Sequence, residues 1–149
     1  MTTPTLYDAY TGIGVPKKKA LIGFLRQYSD VAWIKPEGIQ KAVEYAVKET
    51  PSFGGFIVTV EKDHQILAAL IVNKTGMQGY LAEHIIVMNA IMPEYMDSSI
   101  MHELLRKAYG VAKGDIAMIV NSYSTKNMEL KNINVAAREM KIPLLSKVQ

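Results

Sequence analysis

Hydrophobic and polar positions along this chain repeat with two different periods. From residue 17, "KKKALIGFLRQYSD" sets Leu21, Phe24, Leu25 and Tyr28 three and four residues apart, the spacing of one helix face. "KPEGIQKAVEYAVKET" opens with Pro36 near a helix start and lines up Ile39, Val43, Ala46 and Val47. "PSFGG" breaks that helix, and the pattern then turns β-like. "FIVTVEKDHQILAALIVNKTG" is rich in β-branched residues, and the polar "EKDH" in its middle predicts two strands joined by a hairpin turn. "GYLAEHIIVMNAIM", following Gly76 and Gly79, predicts a third, long strand.

Helical spacing returns over residues 97–113, with Ile100, Leu104, Leu105, Ala108 and Val111 on one face and a stop near Gly114. "DIAMIV" is a short strand reached through that helix, so it is expected to run parallel to "HIIVMNAIM". "NMELKNINVAAREMK" reads as a last helix, and "IPLLSKV" as a terminal strand. The first 16 residues, with Pro4, Gly12, Gly14 and Pro16, read as an irregular lead-in. The result is one α/β (α+β) domain over residues 1–149. Its strand–helix–parallel-strand unit should cross over right-handed, and ligands favour the carboxyl ends of such strands.

Composition narrows the chemistry. With 49% hydrophobic and 21% charged residues the chain is globular, and disorder is excluded for most of its length. It has no cysteine, which removes disulfides, thiolate catalysis and Cys-based zinc sites and fits a reducing cytoplasm. No signal-peptide pattern opens it, and no stretch reaches the roughly 20 apolar residues of a membrane span. A net charge of +3 is scattered apart from Lys17–Lys19, without an aromatic-plus-basic stripe, so no nucleic-acid partner is expected. His64, His84 and His102 are not at metal-ligand spacing, and "HELL" lacks the second histidine of a zinc-protease helix, so no metal is expected. "TGIGVP" follows no strand and is not read as a dinucleotide loop.

One stretch, "MPEYMDSSIMHELL" over residues 92–105, has the outline of a strand-to-helix turn that holds a phosphate. Together with the order of elements it resembles the GCN5-related N-acetyltransferases (GNATs). Their signature is an Arg or Gln, two variable residues, Gly, one variable residue, then Gly or Ala. It starts three residues after a proline and leads into an amphipathic helix containing "LL". Laid on it without a gap, Pro93 takes the proline place and Met96 the Arg/Gln place. Ser99 takes the first glycine, Met101 the second, and Leu104–Leu105 the helix leucines.

The resemblance implies a mixed, mostly antiparallel central sheet flanked by helices. It implies transfer of an acetyl group from acetyl-CoA to a small-molecule or peptide amine. The stretch Asn89, Ala90, Ile91 and Met92 would pair with the pantetheine arm, and Asp97, Ser98, Ser99, Ile100 and Met101 would face the diphosphate. Glu83 resembles the acidic residue that some members use as general base, with His84 on the opposite face as the other choice. The tyrosine that protonates the leaving thiolate is replaced by Lys141 in its usual frame, which leaves Tyr123 as a substitute. Apolar strands and helices in such folds also permit self-association as a homodimer.

The missing glycines set a second reading beside the first. Cβ atoms on Ser99 and Met101 crowd a close backbone approach, and Asp97 places a negative charge where phosphate should sit. Asp97, Ser98 and Ser99 are equally good helix caps, worth about 1 kcal/mol each way a cap forms. A catalytically inactive binding or regulatory module that has lost or weakened CoA binding therefore stands as the alternative. The nine methionines, several flanking the loop, read as core filler or as a soft acyl groove.

Overall fold

The computed structural model describes residues 3–29, 35–77, 79, 82–96, 99–121 and 128–132. They form a six-stranded sheet in chain order: β1 (Pro4–Tyr7), β2 (Gly55–Lys62), β3 (Gln65–Lys74), β4 (His84–Ile91), β5 (Ile116–Asn121) and β6 (Met128–Asn132). Helices α1 (Val15–Tyr28) and α2 (Pro36–Ala46) belong to one core, and α3 (Ile100–Val111) to another. All neighbouring strands are antiparallel except β4 and β5.

The two cores lie on the two faces of the sheet, and alternation along the central strands sorts side chains between them. On β2, Val58 and Val60 join Leu104, Leu105 and Ala108 of α3, while Ile57 joins Leu21 and Leu25 of α1 and Ile39 and Val43 of α2. β3 is buried from Ile66 to Val72, as expected of a strand covered on both faces. Each fully buried Leu or Ile is worth about 1.5–3 kcal/mol, so this double cover is the main source of stability. The β2–β3 turn has Asp63 and His64 at φ 51° and 66°, the positive pair that lets a two-residue hairpin follow strand twist.

Polar contacts pin the helices to the frame. Glu61 at the end of β2 accepts hydrogen bonds from Tyr7 Oη at 2.8 Å and Thr59 Oγ1 at 2.6 Å, and pairs with Lys17 of α1. Burial alone would push the Glu61 carboxyl up, but the Lys17, Thr59 and Tyr7 hydrogen bonds outweigh it and hold the carboxyl below its ordinary value. Tyr7 is driven the other way, to about 12, by burial and by the carboxylate it donates to. Lys18 bridges α1 to Glu44 of α2 at 2.7 Å and to Glu49 at 2.9 Å.

Three sequence expectations are corrected. The lead-in is not irregular throughout: residues 4–7 form edge strand β1, where the missing N–H of Pro4 costs little. The third strand starts at His84 rather than at Gly79, which adopts φ 104°. The expected last helix is a strand over Met128–Asn132, because pairing with β5 from Ala117↔Asn132 to Asn121↔Met128 overrides the helix preference of "MELK". The rest of that segment and the expected terminal strand lie outside the described residues.

Candidate functional site

β4 contains an extra residue where its neighbours require one fewer. Ile71 of β3 faces Met88 and Val72 faces Ile86, so Val87 has no opposite number and forms a bulge. The side chains confirm the slip. Ile86 packs in the α3 core, and both Val87 and Met88 pack in the α1–α2 core, after which alternation resumes.

The parallel ladder to β5 ends at the same place. His84↔Ile116, Ile85↔Ala117 and Ile86↔Met118 are its pairs, although β4 runs on to Ile91 and β5 to Asn121. Beyond Ile86, among the described strands, β4 pairs only with β3 and β5 only with β6. The two parallel strands therefore part, and the opening lies toward their carboxyl ends. The amide of Met92 donates to Leu67 O at 2.9 Å, so alternation turns the amides and carbonyls of Asn89 and Ile91 toward the gap that β5 leaves. Ser29, just after α1, forms an isolated antiparallel bridge with Ala90 on this side.

At the mouth, Pro93–Tyr95 makes a single 3₁₀ turn in which Tyr95 N–H donates to Met92 O and Met96 N–H to Pro93 O. α3 then starts, with Ser99 as its cap residue. The Ser99 side chain makes no capping hydrogen bond, although its carbonyl accepts from Glu103 N–H at 2.9 Å. The cap reading is thus not realised through that hydroxyl. Ile100 and Met101 point into the core, so only their backbone is placed to meet a ligand. Asp97 and Ser98 lie outside the described residues, as does Tyr123.

Glu83 sits one residue before β4, at the amino end of the parallel pair. Its N–H donates to Asp115 Oδ1 at 3.1 Å and its carbonyl accepts from Thr75 N–H at 2.7 Å. The distance from there to Ile91 is roughly 26 Å along the strand, at about 3.3 Å per residue. The structure therefore brings Asn89–Met92 and Ser99–Met101 to one end and leaves Glu83 and His84 at the other.

Sequence reading missed Glu103. This first-turn residue of α3 has a buried Oε2 without a hydrogen-bond partner, and no spacing rule marks it. A cleft of about 490 Å³ between α1 and the β2–β3 turn also borders this end, with Phe24, Tyr28, Gln27, Gln65 and Met92 in its wall. Among the described residues no group of three His, Asp or Glu comes together as a metal cage. Nor is any helix there long and apolar enough to cross a membrane.

No family model and no curated protein sequence matches the chain. Solved structures do. An aminoglycoside N-acetyltransferase in complex with CoA superposes with a TM-score of 0.58 at 8% identity, covering 100% of this chain and 93% of that one. The PaiA N-acetyltransferase of Thermoplasma acidophilum, in complex with coenzyme A, gives 0.55 at 13% identity over 83% and 82%. The ribosomal-protein-S18-alanine N-acetyltransferase of Escherichia coli gives 0.55 at 11% identity over 93% and 74%. With the bulged fourth strand, the parted parallel pair and the helix that follows, these likenesses establish that the chain has the fold of the GCN5-related N-acetyltransferases.

Proposed function

We propose that the protein is an acyl-CoA-dependent N-acyltransferase that moves an acetyl group to the amine of a small molecule or peptide. The observation that carries this reading is the parting of β4 from β5 after Ile86↔Met118, with the start of α3 at its mouth. The parting leaves a row of β4 backbone groups for an amide-rich arm to pair with, as an added strand would. The helix start offers the positive end of its dipole to a diphosphate. When bound, acetyl-CoA supplies the activated thioester. The chain's own part is to hold the arm along Val87–Ile91, to set the carbonyl among these backbone donors and to present the amine.

Glu83, with Tyr123, stays the proposed proton-handling pair, and the distance of Glu83 from the α3 end means that it would act through intervening water or substrate rather than directly on the mouth. General-base help of this kind contributes about 10²–10⁴-fold. Among the described residues the cleft beside α1 has aromatic, amide and imidazole walls without a carboxylate, which suits an uncharged or singly charged partner better than a polycation.

A second reading rests on the Ser29–Ala90 bridge and on Glu103. The bridge places the chain's own backbone against the row the arm needs, and the Glu103 carboxylate adds negative charge to the first turn of α3. Both favour a binding module that no longer turns over. Calorimetry with acetyl-CoA, followed by thiol-release assays over a panel of amines, tests the pair. Saturable heat with thiol release supports the enzyme, and saturable heat without release for any amine supports the module. Absence of heat at millimolar acetyl-CoA rejects the enzyme and leaves a module that has lost the cofactor.

A further inference from the structure

The opposite end of the sheet, beside Glu83, carries a second cleft of about 530 Å³. It lies where β1 ends, β2 begins, β3 ends and β4 begins, with Val111 of α3 closing one side. Its wall is unusual for a surface. Tyr10, Phe53 and Val111, three of the six exposed large hydrophobic residues among those described, all line it. Tyr10 is 97% exposed and Phe53, whose ring rests on Gly76, 65%, so most of their apolar surface is open to solvent. Exposed aromatic surface gathered at one place marks a binding site more often than scattered single residues do.

The charges in the cleft are unbalanced. Lys48 and Lys74 line it, and among the described residues neither makes an ion pair. Lys74 is the cross-strand partner of His84, and its charge acts on that ring. Asp8 is the one carboxylate among the lining residues, and the Glu83 and Asp115 carboxylates act on His84 from beside it. Asp8 Oδ1 accepts the amides of Tyr10 at 2.9 Å and Thr11 at 3.0 Å, and Asp115 Oδ1 accepts the amide of Glu83. His84 Nδ1 lies 3.2 Å from the Asp115 carbonyl, so Nδ1 carries the proton and Nε2 keeps its lone pair.

The backbone beneath is fixed. Gly55 has φ 149°, and a Cβ there would lie 2.0 Å from Val72 O, so the chain crosses β3 too closely for any side chain. The Gly54 carbonyl accepts the Lys74 amide at 2.8 Å, Tyr45 Oη donates to Lys74 O at 2.9 Å, and Lys48 holds φ 57° with its stem against Gly54. Both lysines are thus held on a rigid floor rather than on a free loop.

We propose that this cleft binds a small anion bearing a flat apolar group, its carboxylate or phosphate held between Lys48 and Lys74 and its ring against Phe53 and Tyr10. Charge-assisted hydrogen bonds to the two ammonium groups supply the anchor, and the aromatic wall selects the body. The neighbouring His84 is the reporter. Burial and then the Lys74 charge depress its protonation, against the opposing pull of the Asp115 carbonyl and of the Glu83 and Asp115 charges. An anion seated beside it favours the imidazolium and raises its midpoint.

The test is a proton NMR titration of the His84 ring in the intact protein with benzoate, phenyl phosphate and inorganic phosphate. We expect benzoate or phenyl phosphate to shift the ring signals saturably and raise the midpoint, with inorganic phosphate weaker by about tenfold or more. Binding of benzoate alone assigns a carboxylate ligand and of phenyl phosphate alone a phosphate; either upholds the site. The paired change K48M/K74M, which keeps both apolar stems, should weaken the aromatic probes by about tenfold or more at an unchanged melting temperature. The proposal is overturned if neither aromatic probe moves the His84 signals at millimolar concentration. It is equally overturned if K48M/K74M binds as the parent does, or if inorganic phosphate binds as tightly as the aromatic probes.

Discussion

Ile86 and Met118 are the last residues that β4 and β5 share, and the next residue along β4, Val87, is the one that β3 cannot match. The bulge and the parting are one event. An extra residue increases local twist and turns the strand's direction, so a neighbour that was in register before it falls out of register after it.

Deleting Val87 is the sharpest check of this relationship. Met88, Asn89, Ala90 and Ile91 would keep their present faces, because Val87 and Met88 now share one. The sheet should therefore still fold, with a melting temperature within a few degrees of the parent, since about 1 kcal/mol corresponds to roughly 2–4 °C for a chain of this size. The opening should close as β5 pairs onward. Hydrogen exchange at Asn121, whose amide is turned toward β4 by alternation, would slow, and any acetyl-CoA binding would be lost.

Glu103→Gln removes a negative charge from the first turn of α3 without changing shape. Affinity for CoA should rise several-fold, in line with the roughly 0.3–1 kcal/mol of a charge at a helix end. Calorimetry of parent and variant side by side measures it. An unchanged or weaker affinity would show that the carboxylate assists the ligand instead.

Gly55→Ala meets backbone, not a movable side chain: Val72 O would lie 2.0 Å from the new Cβ, at φ 149°. A loss of about 3 kcal/mol or more is expected, enough to lower the melting temperature by about 6 °C or more. Gly12→Ala meets nothing within 4 Å, yet still carries φ 63°, and should cost only about 1–2 kcal/mol.

The Glu61 cluster gives stability two pH limbs. A carboxyl held below its ordinary value contributes stability that is full above the usual carboxylate range and disappears as pH falls through the folded value. Glu61→Gln should flatten that acid limb. Tyr7 works in the alkaline direction. Its value is raised from 10.0 to about 12, so its contribution is intact below pH 10 and is lost between there and about 12. Ultraviolet titration of tyrosinate should lose a late-ionising phenol in Tyr7→Phe.

Much of this architecture is written in the periodicity. Leu21, Leu25, Ile39, Val43, Leu104 and Leu105 are spaced for burial and are buried, and "EKDH" is the hairpin turn it looks like. β1 was hidden because Pro4 reads as a breaker, while an edge strand tolerates it. β6 was hidden because Met128, Glu129, Leu130 and Lys131 are good helix formers held as strand only by the β5 ladder. The frame of "MPEYMDSSIMHELL" was legible, and α3 begins where it indicates. Neither the bulge at Val87 nor the Ser29–Ala90 bridge has a local signal, since each exists only between segments distant in sequence. Glu103 is obscure for the same reason: its buried oxygen is a property of what surrounds it.

The ladder lengths have a mechanical corollary. β5 is stitched to β6 over five pairs, from Ala117↔Asn132 to Asn121↔Met128, and to β4 over three. Among the described ladders the β4–β5 seam of His84, Ile85 and Ile86 is the shorter, while Ile116 and Met118 still tie β5 to the core under α3. A ligand that widened the opening would therefore load those three pairs before any of the five that hold β6.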